Sequence, residues 1–301
     1  MSHEEIEIAD ANYIIRASLK KPPINSKTGI VLAHGAIINR QSLIRTTYSF
    51  AEYLSDQLNA YVIAPDFNGE TKCKQKPTLK NYSEIYNITT RYLAETYNLD
   101  TIMGFGHSMG CFIIADALKE NPYLDSLINY GGPVSELEST RQQGFIEYMV
   151  NYLATFNFDI NLKNLTKYIF DEETITYLTE TMQNTEAYHS ESYDFNLRPS
   201  VFKDIKTTIT NYTKNIKQWN KPTLFLFGEN DKITRKTRKH YKDNHVEGNI
   251  TYRFIPDATH IVPCTQTIDQ LSKLDPAIEF YRKIHNITPR PQIPLPPRKA
   301  Q

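Results

Sequence analysis

The chain has 301 residues, of which 40% are hydrophobic and 23% charged: enough for one large α/β domain or a core with an insertion, and too apolar for a disordered protein. Thirty-four basic residues balance thirty-four acidic ones, so no net field points to nucleic acid or to an anionic membrane as partner. Three cysteines, Cys73, Cys111 and Cys264, are too few and too scattered for a disulfide framework or a structural zinc site, and they fit a reducing, cytoplasmic compartment. The first ten residues are acidic and polar, without the basic start and apolar run of a secretory signal. No stretch approaches the roughly 18 apolar residues of a membrane span, so no integral membrane segment is expected.

Short β-branched and aromatic runs then follow one another, each closed by Gly, Pro or Asp. Residues 13–19 predict an early antiparallel strand, and 29–33, 61–64, 101–105, 126–130, 223–227 and 251–255 predict further strands. The later runs are almost continuously apolar, which is the mark of strands covered on both faces of a parallel sheet. Helical stretches at 46–58, 85–97 and 109–119 lie between them, giving βαβ crossovers with helices on both faces. The connection from Gly132 to Thr223 is too long for a loop, and helical periodicity runs through it: Phe145, Met149, Leu153 and Phe156, then Val201, Ile205, Ile209, Tyr212, Ile216 and Trp219. The expected organisation is a core made of residues 1–133 and 220–286, a helical cap insertion at 134–219, and a tail at 287–301 whose five prolines make it disordered.

The chemistry centres on Gly106-His107-Ser108-Met109-Gly110. It follows the apolar run 101–105 directly and precedes the helical stretch Cys111-Phe112-Ile113-Ile114, the strand, sharp turn and helix that a G-x-S-x-G nucleophile requires. Small residues at Gly106 and Gly110 let chain and helix approach closely, and the helix N-terminus is aimed at the reacting centre. Serine needs a base and a group that orients the base. Both come later, in the order acid then histidine. Asp231 lies just past the strand 223–227, with Glu229 as a nearby competitor, and His260 lies just past the strand 251–255. His240, Asp243 and His245 sit in a charged stretch, 237–247, that reads as a solvated helix end and not as a metal site. Serine chemistry asks for no metal and no cofactor.

With His34-Gly35-Ala36 at the end of the strand 29–33, the chain resembles the α/β-hydrolase family, in its large branch with a helical cap. Gly-His-Ser-Met-Gly is similar to the elbow of monoglyceride lipases, carboxylesterases and carbon–carbon bond hydrolases. The segment Pro65-Asp66-Phe67-Asn68-Gly69 resembles the family's D-x-x-G turn, which is structural. The resemblance implies that the backbone amides of Ala36 and Met109 form the oxyanion hole, that Gly35 supports the loop and that His34 is structural. It covers residues 10–133 and 220–285. Two positions depart from it: Ala258 stands where many relatives have glycine two before the histidine, and Cys111, expected to be a small buried residue, stands where many have a second glycine after the elbow.

The reading is a serine hydrolase with Ser108 as nucleophile, His260 as base and Asp231 as orienting acid, acting on a small-molecule acyl substrate, first a carboxylic ester of modest size. Phe145, Met149, Tyr152 and Tyr188 of the insertion are the candidates to roof the pocket. Thioesters, amides and carbon–carbon bonds next to a ketone stay open as substrates. So do acyl transfer to another acceptor and a slow or non-turnover ligand receptor on the same fold.

Overall fold

A computed structural model of the chain describes residues 3–35, 40–44, 49–67, 72–73, 78–132, 172–173, 176, 212, 214–241, 243–265 and 267–287. Within these residues the strands are β1 (Glu4–Ala9), β2 (Tyr13–Lys20), β3 (Thr28–Ala33), β4 (Tyr61–Pro65), β5 (Lys72–Cys73), β6 (Thr101–His107), β7 (Leu124–Tyr130), β8 (Thr223–Gly228), β9 (Val246–Glu247) and β10 (Ile250–Ile255). They form one sheet in the order β1-β2-β4-β3-β6-β7-β8-β10-β9, with β5 paired to β2. From β4 to β10 every neighbouring pair is parallel, and β1, β2, β5 and β9 add antiparallel edges. This is the mostly parallel sheet that the continuous apolar runs predict.

The physical reason for those runs is visible in the packing. Along β3, Val31 and Ala33 join one core cluster while Ile30 and Leu32 join the other; along β8, Phe225 and Phe227 face one cluster and Leu224 and Leu226 the other. Both faces of these strands are dry, so neither can carry polar residues. The first cluster is closed by α3 (Leu79–Tyr97) and α4 (Met109–Ala117), through Tyr86, Leu93, Cys111 and Ile114. The second is closed by α2 (Phe50–Leu58) and by the C-terminal helix, Asp275–His285, through Phe50, Leu54, Ala277 and Tyr281. Shorter helices are α1 (Gln41–Ile44), α5 (Arg235–His240) and α6 (Ile268–Leu271); the C-terminal helix is α7.

Capping explains where two helices begin differently from their apolar periodicity. Ser49 Oγ accepts the Glu52 amide, so α2 starts at Phe50 and not at residue 46. Thr78 Oγ1 accepts the Asn81 amide, so α3 starts at Leu79, six residues before the first residue of the expected helix. The acidic N-terminus also has a fold: Glu4–Ala9 is an edge strand, antiparallel to β2.

Of residues 134–219, the described ones at 212 and 214–219 are helical. Tyr212 sits between Phe112 and Phe225, 5.2 and 5.8 Å away between ring centroids, and Ile216 is fully buried, so this end packs into the core under the sheet. Phe145, Met149, Tyr152 and Tyr188, the tail from residue 288, and Ala36 lie outside the described residues. Among the described residues no helix is long and apolar enough to cross a membrane.

Candidate active site

β6 delivers Ser108 to the carboxyl end of the sheet. The residue stands between strand and helix with φ 54° and ψ −116°, a conformation that L-residues avoid and that persists only when the surroundings hold it. Two backbone bonds do so: Ser108 N–H donates to the Tyr130 carbonyl at 2.9 Å, and Cys111 N–H donates to the Ser108 carbonyl at 3.1 Å. Close approach does the rest. A Cβ on Gly110 would sit 2.1 Å from the Ala33 carbonyl oxygen, so a side chain there would push the first turn of α4 off the end of β3. Gly106 is similarly tight against the Cys111 backbone. Met109, the first residue of α4, is buried. Cys111 is fully buried, its thiol donating to the Gly106 carbonyl at 3.2 Å, and burial pushes the thiol well above its ordinary range.

β8 and β10, neighbours in the sheet, carry the two other groups. Asp231 is fully buried in the turn after β8. Its Oδ1 accepts the Ile233 amide at 2.8 Å and its Oδ2 lies 2.9 Å from His260 Nδ1. A carboxylate at Nδ1 holds the proton on that nitrogen and leaves Nε2 as the basic one. Glu229, the competing carboxylate, is exposed, its amide donating to the Ile255 carbonyl at 3.0 Å. Gly131, at the end of β7, backs the pair. Its φ is +66°, and a Cβ there would fall 2.8 Å from His260 Nδ1 and 3.3 Å from Asp231 Oδ2. The end of β7 is thus stripped of side chain where the acid and the imidazole meet.

Side chains that the sequence did not single out hold these turns. Arg238 of α5 donates to the carbonyls of Glu229 and Asp231, the latter at 3.0 Å, so one residue of the charged stretch 237–247 is part of the acid turn. Tyr130 Oη donates to the Thr259 carbonyl at 2.5 Å. His107 Nε2 donates to the His260 carbonyl at 2.8 Å. No local pattern announces these contacts, because each acceptor is a backbone carbonyl, and two of the four are more than a hundred residues from their donors in the chain.

The third strand end is that of β3. His34 is buried; its Nδ1 donates to the Gly35 carbonyl at 2.9 Å, and its Nε2 accepts the Phe67 amide at 3.3 Å. Asp66 lies beside it, Oδ1 at 3.3 Å from His34 Nε2 and Oδ2 at 3.5 Å from Arg40 Nη1. Arg40 continues to Ser18 Oγ at 3.0 Å and to Glu5 Oε2 at 2.5 Å. Both described ends of the His34-Gly35 loop, residue 34 and residue 40, therefore meet one buried carboxylate. Among the described residues no group of three metal-ligating side chains comes together.

A strained serine at a strand–helix turn, with a buried carboxylate–imidazole pair after two later strands of the same mostly parallel sheet, is the layout of the α/β-hydrolase fold. The chain belongs to the serine aminopeptidase S33 family of α/β-hydrolases, whose family model matches residues 25–263. Similar solved structures include a thermophilic esterase from Thermogutta terrifontis, at 18% identity and TM-score 0.61, covering 94% of this chain and 99% of that one. They also include the 2-hydroxy-6-oxo-6-phenylhexa-2,4-dienoate hydrolase of Rhodococcus sp. strain RHA1, at 15% identity and TM-score 0.63, covering 93% and 100%. A third is a carboxyl esterase from Bacillus coagulans, at 14% identity and TM-score 0.60, covering 94% and 99%. No curated protein sequence shows a significant match. At these identities the solved structures establish a shared fold, not a shared substrate.

Proposed function

We propose that the protein is a serine esterase that cleaves a small or medium carboxylic ester through an acyl-enzyme. One observation carries the reading: a buried Asp231–His260 pair at 2.9 Å, after β8 and β10 at the same edge of the sheet as a serine held at φ 54° between β6 and α4. Such a pair makes an imidazole that can take a proton at Nε2 and have the resulting charge stabilised. Ser108 Oγ attacks the acyl carbonyl as His260 Nε2 takes its proton. The backbone amides of Ala36 and Met109 receive the negative charge that develops on the carbonyl oxygen. His260 returns the proton to the leaving alcohol, and water repeats the sequence on the acyl-enzyme. In this reading Phe145, Met149, Tyr152 and Tyr188 of the segment 134–219 are the residues assigned to the choice of acyl chain. Esterases among the solved structures of this fold support an ester as the first substrate to try.

The experiment is labelling with a fluorophosphonate probe followed by turnover of chromogenic esters of increasing acyl length. The wild-type protein labels and turns over at least one ester, and Ser108→Ala does neither. A Ser108→Ala variant that labels like the wild type places the nucleophile elsewhere and overturns the reading.

A further inference from the structure

His107, the first variable residue of the Gly-x-Ser-x-Gly turn, is buried and carries no part in the chemistry proposed above. Among the described residues its polar side-chain contacts nonetheless go to the stretch from His260 to Cys264. Nε2 donates to the His260 carbonyl at 2.8 Å, and a carbonyl can only accept, so the Nε2–H tautomer is required. Nδ1 is then the acceptor, 3.9 Å from Cys264 Sγ, within reach of a thiol S–H. Its ring stands 5.0 Å from the His260 ring and 6.0 Å from that of Tyr130. Tyr130 in turn donates its hydroxyl to the carbonyl just before, that of Thr259, at 2.5 Å.

Two successive carbonyls, those of Thr259 and His260, are therefore each held by a buried side-chain donor from a different strand. Pinning both fixes the two peptide planes that flank the His260 Cα and with them the direction in which the His260 Cβ leaves the backbone. The third fixed point is on the ring itself, Nδ1 on Asp231 Oδ2. Three points define the plane of the imidazole and hence the line along which Nε2 presents its lone pair.

We propose that His107 and Tyr130 are positioning residues for the base, a two-donor clamp on the backbone of His260 that couples its orientation to the nucleophile turn. The inference rests on the esterase reading for its kinetic consequence, but not for its geometry. The clamp needs His107 to stay uncharged beside a base that becomes an imidazolium during turnover. The titratable groups about it are His260, His34 and the Cys264 thiol; burial first, and the neighbouring His260 second, hold the His107 imidazole down at about 3, so it stays neutral at any working pH. Because His107 directly precedes Ser108, a shift of the clamp displaces nucleophile and base together.

The test uses the full chain and three variants. His107→Phe keeps the ring and loses the donor, His107→Gln keeps an amide N–H at the reach of Nε2, and Tyr130→Phe removes only the hydroxyl. Expected is a fall in kcat of roughly 10- to 100-fold for His107→Phe with KM within about twofold, the scale of an orientation error near 1 Å. Tyr130→Phe falls by about tenfold, and His107→Gln recovers most of the loss. A second readout does not depend on turnover: the downfield proton resonance of the His260 Nδ1–H on Asp231 is sharp in the wild type and in His107→Gln and broadens in His107→Phe. If His107→Phe fails to fold, Tyr130→Phe gives the same two readouts on the other arm. The clamp is overturned if His107→Phe keeps both kcat and the resonance, or if Gln and Phe at 107 are equally damaging. Should the wild type turn over no ester, the esterase reading falls and the resonance alone decides the clamp.

Discussion

Two serines lie at opposite ends of this sheet, Ser126 within β7 and Ser108 just past β6, and the difference between them shows what a candidate site requires. At the amino end, Ser126 of β7 and His285 of α7 are in direct contact, Oγ to Nε2 at 2.7 Å, with Asp125 next in the chain. At the carboxyl end stand Ser108, His260 and Asp231. The first set has the residue types of a triad and a shorter contact than many working ones. It lacks everything else. Ser126 is fully buried in a regular strand, with no helix N-terminus behind it. Asp125 gives its Oδ2 to the Ile102 amide at 2.9 Å and not to the imidazole. Burial lowers the affinity of His285 for a proton, against the pull of Asp125. At the other end the acid is on the ring, the serine is only half-buried, and its backbone is strained into a turn. A serine–histidine contact is a packing motif until exposure, backbone strain and an orienting acid coincide.

The comparison can be broken most directly at the serines. Ser108→Ala removes all fluorophosphonate labelling, whereas Ser126→Ala labels at the wild-type rate; labelling that follows Ser126 reverses the assignment of the two ends. Next come the acids. Asp231→Asn costs roughly 10³- to 10⁴-fold in turnover, because the imidazole loses its tautomer and its counter-charge, while Glu229→Gln stays within about twofold. The reverse order of damage in steady-state kinetics gives the acid role to Glu229.

A third effect concerns the neutral histidine behind the site. With His107 held at about 3 in the folded protein, against an ordinary 6.5, the unfolded chain takes up a proton below pH 6.5 that the folded one refuses. Stability present above pH 6.5 is lost as the pH falls, at about 1.4 kcal/mol per pH unit, until the folded group titrates as well. His107→Phe lacks this term. Urea unfolding at pH 6.5 and 4.5 should therefore show the gap in stability between wild type and variant shifting by about 2 to 3 kcal/mol in favour of the variant. A gap that does not move with pH means that His107 is protonated in the fold. The smallest effect belongs to the amino end: Ser126→Ala costs about 1 kcal/mol, the worth of one buried hydrogen bond, with turnover unchanged.

The carboxyl end was readable in the sequence because its signals are local. Gly106 to Gly110 announce a turn by size alone, and the apolar runs that end at Ala33, Phe227 and Ile255 mark strands buried on both faces. Asp231 and His260 follow two of those runs at once. What escaped the reading depends on contacts without a local signature. Glu4–Ala9 alternates glutamate with apolar residues, as an edge strand must, and in isolation that pattern is a charged tail; its Glu5 meets Arg40, a partner 35 residues on. β5 and β9 are two residues long, below any period. His107 occupies one of the two positions of its motif that the motif leaves open, and its acceptor lies 153 residues away. Arg238 was hidden by its neighbours, since a run of basic residues reads as a solvated face even when one of them turns inward to cap Asp231.

Ser108 precedes the segment 134–219, and Asp231 and His260 both follow it, so neither half of the chain owns a complete set of reacting groups. Within the sheet the two halves meet along one ladder, β7 against β8, with Leu127 opposite Thr223 and Tyr130 opposite Leu226. Ser108 hangs on the first half through the Tyr130 carbonyl, and the acid–base pair leans on Gly131 of that same half. If the proposed esterase reading holds, a backbone cut within the intervening segment leaves each fragment without a full set of these groups, and ester turnover then counts reassembled molecules, rising with the product of the two fragment concentrations.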